Sequence, residues 1–373
     1  MAASTNMHSP RILIAGGGTG GHIFPALAVA RELKERYNAE VLFVGTARGL
    51  ESRLVPQAGF PLELIPVGPL NQVSLATKLK TAMTLPMSVL ACSGILSRFK
   101  PDVVFGVGGY ASGPAMVTAI LRRFPTMVFE PNAVPGMTNR LVGKRVSAAA
   151  VNFPPAGKWF RSAEVTGIPV RPEFFSVTEP PATGPSDRMA PHLLIFGGSQ
   201  GAGIFNRVLP PLAPALLEAV QGLTILHQAG ARHADSTHEA YAASGADPAR
   251  WRVEAFLDDM AQRFSAAELI LARSGASTVA ELAAAGKPSL LIPFARAADD
   301  HQKSNALVRV EAQAAVMLEE SQLGSPQILV DTVASLFADR SRLHAMGEAA
   351  RAQAHDNAAQ RIAAKLMELA GRG

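Results

Sequence analysis

The sequence predicts an α/β protein of two doubly wound parallel-sheet domains, and three observations predict it. At 373 residues the chain is long for one hydrophobic core. Short apolar runs alternate with glycine turns and helical spacing, the pattern of successive strand-helix-strand units. That pattern starts twice, at RILIA (11–15) and again at HLLIF (192–196), and each time the run enters a glycine-rich loop.

The first run is followed by GGGTGGH and a helix over 26–36, with Pro25 at a position suited to a first helical turn. Further strands are expected at 40–44, 102–106, 126–129 and 148–152 in the first half, and at 223–227, 269–272 and 289–292 in the second. Between the halves lies GIPVRPEFFSVTEPPATGPSDRMAP, whose prolines and small polar residues make it the natural boundary. The expected organisation is a flexible leader at 1–10, a first domain at 11–172, a linker at 173–190 and a second domain at 191–340. The alanine-rich tail, 341–373, reads as one or two helices that pack back, on the first domain or over both. The opening MAASTNMHSP has neither the basic nor the apolar segment of a secretory signal.

The single cysteine, Cys92, excludes an internal disulfide and a multi-cysteine metal site, and reads as a buried apolar residue of a reducing compartment. The longest apolar stretch, 82–96, carries Pro86 and falls short of the ~20 residues that span a bilayer. Charge is unevenly spread. Up to Pro172 there are 18 Lys and Arg against 8 Asp and Glu, and after it 17 against 22, so the halves carry +10 and −5 within a total of +5. Between residues 65 and 163, eleven basic residues accompany only Asp102 and Glu130. Such a half either faces something anionic or is a solvated face that aids solubility.

Gly16-x-Gly18-x-x-Gly21, after a strand and before a helix, is the literal dinucleotide fingerprint. The second strand ends in Val44-Gly45-Thr46 without the acid that a nicotinamide ribose requires, although Arg48 could receive an NADP phosphate. A dinucleotide oxidoreductase therefore stays open. Three more loops share this chemistry: GGSQGA (197–202), GVGGYASGP (106–114) and SGAST (274–278), the last leading into VAELAAAG. Helix N-termini after such loops present backbone N–H groups and a positive dipole end to phosphate. Any one of them can be a plain tight turn, but four together are expected to serve a phosphate-bearing ligand. Glu281 lies one turn after Ser277 on the same helix face, placed to accept both hydroxyls of a ribose or merely to complement the helix dipole.

Taken together, ILIAGGGTGGHIFPALAVA, PDVVFGVGGYASGP, GIPVR, GGSQGA, FLDDM, RSGASTVAELAAAGKPSLLIPF and DDHQKSNA resemble one family in order over nearly the whole chain. It is the MurG family of UDP-N-acetylglucosamine transferases, which act on undecaprenyl-pyrophosphoryl-N-acetylmuramyl-pentapeptide. The resemblance implies a GT-B fold, two Rossmann-like domains facing across a cleft. The second would hold UDP-N-acetylglucosamine and the first the lipid-linked acceptor. It further implies that backbone at Leu257 or Phe256 meets the uracil and that Glu281 holds the ribose. Ser199, Ala276, Ser277 and Thr278 would lie along the diphosphate, with Arg171 reaching in from GIPVR. Gln302 and His301 would meet the sugar, joined from the first domain by Thr19, Gly20, Gly21, His22 and Asn132. One turn departs from the family, reading Phe129-Glu130-Pro131-Asn132 where the family has His-Glu-Gln-Asn.

The implied reaction carries N-acetylglucosamine to the 4-hydroxyl of N-acetylmuramic acid with inversion, the lipid I to lipid II step of peptidoglycan synthesis. His22 is the first candidate for the base that takes the hydroxyl proton, Glu130 is its rival, and Tyr110 could orient the acceptor. Neither a metal nor another cofactor is expected, and no nucleic acid. A polyprenyl-linked acceptor implies a peripheral place on the anionic cytoplasmic face of the inner membrane. Lys78 and Lys80 beside Leu75, Leu79, Met83, Leu85 and Met87 suit that surface, or form a core helix. Another GT-B glycosyltransferase or a UDP-sugar epimerase also remains open.

Overall fold

The computed structural model describes residues 9–67, 75–177, 191–198 and 200–371. It divides the chain into two units, residues 1–169 with 357–373, and residues 170–356. The first break therefore falls after Pro169, and the C-terminal tail is divided after Asp356, its last part belonging to unit 1.

Unit 1 runs β1 (Arg11–Gly16), α1 (Gly20–Tyr37), β2 (Glu40–Gly45), α2 (Glu51–Gln57), β3 (Leu62–Leu64), α3 (Leu75–Phe99) and β4 (Val103–Gly108). It continues through α4 (Ser112–Leu121), β5 (Thr126–Glu130), α5 (Met137–Val142), β6 (Ala148–Val151) and β7 (Ala163–Val165). The strand order is β3-β2-β1-β4-β5-β6-β7, with every pair parallel. α1 begins at Gly20, well before the expected residue 26, and contains Pro25 without breaking. Asn38, in the left-handed conformation (φ 50°), closes it.

Unit 2 opens with α6 (Pro172–Phe175) and then repeats the winding with β8 (His192–Phe196), α7 (Gly203–Ala219), β9 (Thr224–Gln228), α8 (Ala234–Ala243) and β10 (Trp251–Glu254). α9 (Met260–Ala266), β11 (Leu269–Ala272), α10 (Ala276–Ala285), β12 (Ser289–Leu291), α11 (His301–Glu311) and β13 (Ala315–Met317) follow. α12 (Pro326–Ala338) and α13 (Arg340–Arg351) complete the unit. Its parallel order is β10-β9-β8-β11-β12-β13. The last helix, α14 (Ala358–Leu369), belongs to unit 1, where it packs on α1 and Arg361 pairs with Glu164 at 2.8 Å.

Helices cover both faces of each sheet, so the central strands are buried on both sides and read as unbroken apolar runs. β4 and β11 are buried at every position. The strands that sequence periodicity misses are β3, β7, β10 and β13, and these are the four sheet edges. Each has three or four residues and is partly exposed, as in Ala163-Glu164-Val165, so it lacks the apolar run. In unit 1, Leu13, Val104, Val128 and Val151 meet Met116 and Leu96 from the helices. In unit 2, Leu193, Ile195, Leu271 and Leu290 meet Phe205, Leu209 and Leu336.

Candidate functional site

In both sheets the strand order reverses between the first strand and the fourth, β1 beside β4 and β8 beside β11. In open α/β sheets ligands sit at the carboxyl ends of the strands at such a reversal, where loops leave in opposite directions. The loops following β1, β4, β8 and β11 are the four glycine loops, 16–21, 106–114, 197–202 and 274–278.

In unit 1 the first two loops interlock. The Gly17 N–H donates to the Gly108 carbonyl at 3.2 Å, and a β-carbon on Gly16 would collide with that same carbonyl. A β-carbon on Gly108 would lie 2.8 Å from the His22 ring, so the imidazole rests directly on glycine backbone. His22 is half-buried in the first turn of α1, its N–H donating to the Thr19 carbonyl at 3.2 Å, with Gly20 and Gly21 between. Tyr110, just beyond Gly108 and Gly109 in the neighbouring loop, is exposed.

Glu130, at the end of β5, is only 2% exposed, and its carboxylate is spent within its own turn. One oxygen accepts from the Asn132 N–H (2.9 Å) and Nδ2 (3.2 Å), the other from the Gly136 N–H (3.1 Å) and Asn139 Nδ2 (2.9 Å). Burial pushes its pKa up, and those four donors pull it down. The geometry is that of an anchor: it shapes the 131–136 turn and holds Asn132, and it has no free lone pair for a substrate proton.

In unit 2 the loop after β8 packs on the β9–α8 turn. Gly201 and Gly230 have positive φ (70° and 84°), and a β-carbon on either would strike the backbone of the other turn. Ser199 lies outside the described residues. After β11, Ala276, Ser277 and Thr278 form the first turn of α10, all half-buried. One turn on, the carboxyl of half-buried Glu281 has its pKa pushed up to about 7 by desolvation; Arg171 opposes that rise and Glu173 adds to it. Arg171 pairs with Glu173 at 3.2 Å and lies over the Phe174 ring. Phe174 is in turn buried edge-on against Phe264. Leu257 is buried, while Phe256 beside it is exposed.

The start of α11 is tied to the same strand end. Ser274 Oγ donates to the Gln302 carbonyl (2.8 Å), Asn305 Nδ2 to the Ser274 carbonyl (3.1 Å), and the Phe294 N–H to Gln302 Oε1 (3.0 Å). His301 is partly buried 4.0 Å from Asp299. Unit 2 thus brings Ala276, Ser277, Thr278, Glu281 and Arg171 together, with Gln302 and His301 on the element tied to Ser274. Among the described residues no cluster of three His, Cys, Asp or Glu side chains is placed to hold a metal.

Two family models cover these two windings. Residues 12–151 match the glycosyltransferase family 28 N-terminal domain, and residues 192–362 match its C-terminal domain. The chain belongs to glycosyltransferase family 28. Curated relatives share much of the length: one from Anaeromyxobacter sp. (strain K) is 43% identical over 97% of this chain and 94% of its own. One from Solibacter usitatus (strain Ellin6076) is 44% identical over 96% of each. Both are named UDP-N-acetylglucosamine--N-acetylmuramyl-(pentapeptide) pyrophosphoryl-undecaprenol N-acetylglucosamine transferase. The crystal structure of Acinetobacter baumannii MurG is similar at TM-score 0.81 and 30% identity, covering 96% of this chain and 99% of that one. The fold is accordingly GT-B.

Two residues of this family 28 chain escape sequence reading. Glu51, 1% exposed, accepts from the Gly18 N–H (2.6 Å), the Thr46 N–H (2.9 Å) and Thr46 Oγ1 (2.8 Å). It is the acid that the end of β2 lacks, standing a few residues later and turned onto the protein's own glycine loop. Arg273, buried before SGAST, donates to the carbonyls of Ile292 and Pro293 (both 3.0 Å) and lies between the Phe205 and Phe294 rings. The signal available for both was a charged residue bordering a glycine loop.

Proposed function

We propose that this chain transfers N-acetylglucosamine from UDP-N-acetylglucosamine to the 4-hydroxyl of N-acetylmuramic acid in undecaprenyl-pyrophosphoryl-linked muramyl-pentapeptide, with inversion. It is a hexosyltransferase of peptidoglycan synthesis. The observation that carries the donor half of the reading is in unit 2: the α10 N-terminus, Glu281 one turn along it, and Arg171 beside that carboxyl. An N-terminus with a cation nearby holds a diphosphate, and a carboxylate one turn on accepts a ribose diol.

In this reading the uracil meets backbone at Leu257, Gln302 and His301 meet the sugar, and Ser199 joins Ala276, Ser277 and Thr278 along the diphosphate. Charge growing on the departing UDP is stabilised by helix N-termini and Arg171, groups already oriented before reaction. His22 takes the hydroxyl proton, because Glu130 is consumed by its own turn. Thr19, Gly20, Gly21, Asn132 and Tyr110 position the acceptor and the transferred sugar in unit 1.

A polyprenyl-linked acceptor requires work at a membrane surface. Among the described residues no helix is long and apolar enough to cross a membrane. α3, α4 and α5 pack side by side and expose Leu85, Met87, Leu90, Leu121 and Leu141, with Arg122, Arg140 and Arg145 on or just after the same elements. That mixture supports peripheral binding to an anionic leaflet on the cytoplasmic side. Of the basic-apolar segment expected around Lys78 and Lys80, Leu85 and Met87 are exposed, and the side chains of Leu75, Lys78, Leu79, Lys80 and Met83 lie outside the described residues.

The test supplies labelled UDP-N-acetylglucosamine with and without a lipid-linked muramyl-peptide. Label entering the lipid only when the acceptor is present is the expected result. Epimerised UDP-sugar without transfer would replace this reading with a UDP-sugar epimerase.

A further inference from the structure

Glu51 is a buried acid that the reaction above leaves unused, and its surroundings are specialised for it. Three glycines wrap the carboxyl group: a β-carbon on Gly17, Gly45 or Gly49 would collide with the Glu51 side chain. Its first donor is the N–H of Gly18, the second glycine of the fingerprint, at 2.6 Å. In a dinucleotide enzyme this loop brings its backbone up to a pyrophosphate. Here an internal carboxylate already occupies that donor, which argues against the dinucleotide reading of the motif.

The occupied loop leads directly into the turn that carries Thr19 and His22. One side of it is tied to Glu51 through Gly18; the other is tied to β4 through the Gly17 N–H and the Gly108 carbonyl. The His22 ring lies on Gly108. A three-glycine run with positive φ at Gly16, Gly17 and Gly18 has many conformations open to it, so the fixed contacts select one.

We propose that Glu51 is the positioning residue for His22: its carboxylate fixes the glycine loop so that the imidazole is held at the reacting hydroxyl. The inference rests on the transferase reading and on His22 as base. Glu51 itself touches no substrate. Replacing it by Gln keeps the shape but leaves one acceptor oxygen where two served, so the amide NH2 meets either the Gly18 N–H or the Thr46 N–H and the anchor is weakened.

The experiment measures kcat, KM for each substrate and UDP affinity for wild type, Glu51→Gln, His22→Ala and the double variant. A misplaced catalytic group costs up to about 100-fold. The expected result is a 10- to 100-fold lower kcat in Glu51→Gln, following, with UDP affinity and donor KM within about twofold. Because Glu51 acts through His22, the double variant should be no slower than His22→Ala. A Glu51→Gln enzyme with wild-type kcat, or a double variant slowed by the product of the two single effects, would overturn the proposal. Should Glu51→Gln fail to fold, Thr46→Val removes only the hydroxyl donor; a smaller kcat loss at unchanged UDP affinity supports the positioning role, and unchanged kcat overturns it. A wild-type chain without acceptor-dependent transfer would overturn the functional reading as well, whereas wild-type transfer with intact Glu51→Gln activity overturns the positioning alone.

Discussion

Gly109 and Gly17 meet backbone to backbone: the Gly109 α-carbon lies so close to Gly17 that a β-carbon there would collide with the Gly17 carbonyl oxygen. Gly109 also has a φ of +80°, in the left-handed region. The two unit 1 loops thus touch without any side chain between them, and only glycine permits it.

Gly109→Ala should combine backbone strain with a backbone collision. Gly18→Ala has φ of +90° but open space around its added methyl, so it should suffer strain alone. Strain of this kind costs about 1–3 kcal/mol. Denaturant melts should show Gly109→Ala as the less stable variant. Equal stability of the two would mean that the loops do not need this contact.

The kinetic roles of His22 and Glu281 should differ in kind. A base acts chiefly while the hydroxyl loses its proton, so His22→Ala should lower kcat by about 10²–10⁴-fold with little change in donor KM. If Glu281 holds the donor, as proposed, it does so in ground and transition states alike, and Glu281→Ala should act mainly by raising donor KM. Near-normal kcat in His22→Ala would remove the base from this loop.

Donor affinity should depend on pH through Glu281, whose carboxyl titrates at about 7. In the proposed donor site the ionised form would accept the ribose hydroxyls, so binding should be strongest above that value and weaken as the pH falls through it. Between pH 8 and pH 6, UDP affinity should fall by up to about 10-fold in wild type. Glu281→Gln should bind more weakly and lack that component. Calorimetric titrations with the same pH slope in both proteins would exclude Glu281 as the titrating group.

His227 supplies a stability switch of opposite origin. It is fully buried on β9, shares a hydrogen bond with the Tyr241 hydroxyl (3.1 Å), and burial lowers its pKa to about 3. The unfolded imidazole protonates near pH 6.5 while the folded one stays neutral. Its stabilisation is therefore complete above pH 6.5 and is lost as pH falls toward 3, at about 1.4 kcal/mol per pH unit. Glu281 contributes in the other direction, because its folded pKa is raised. The informative quantity is thus the difference between wild type and His227→Leu. Urea melts at pH 7 and pH 4.5 should show a steeper loss in wild type; parallel losses would place acid sensitivity elsewhere.

The strands buried on both faces were readable directly, because a parallel sheet under two helix layers demands runs such as RILIA and HLLIF. So were the glycine loops and the repeat of one winding in each half, since backbone that must turn sharply at a strand end restricts residue type. The edge strands were not, because one open side removes the apolar signature that marks β4 or β11. Sequence placed Glu130 and His22 together as candidate bases; only the turn that returns Asn132, Gly136 and Asn139 to Glu130 reveals one of them as an anchor. Glu51 was invisible for the same reason, its partner Gly18 lying 33 residues away along the chain. Residue type and local spacing determine which chemistry is available, but whether a carboxylate is free or already satisfied depends on donors that distant segments bring to it.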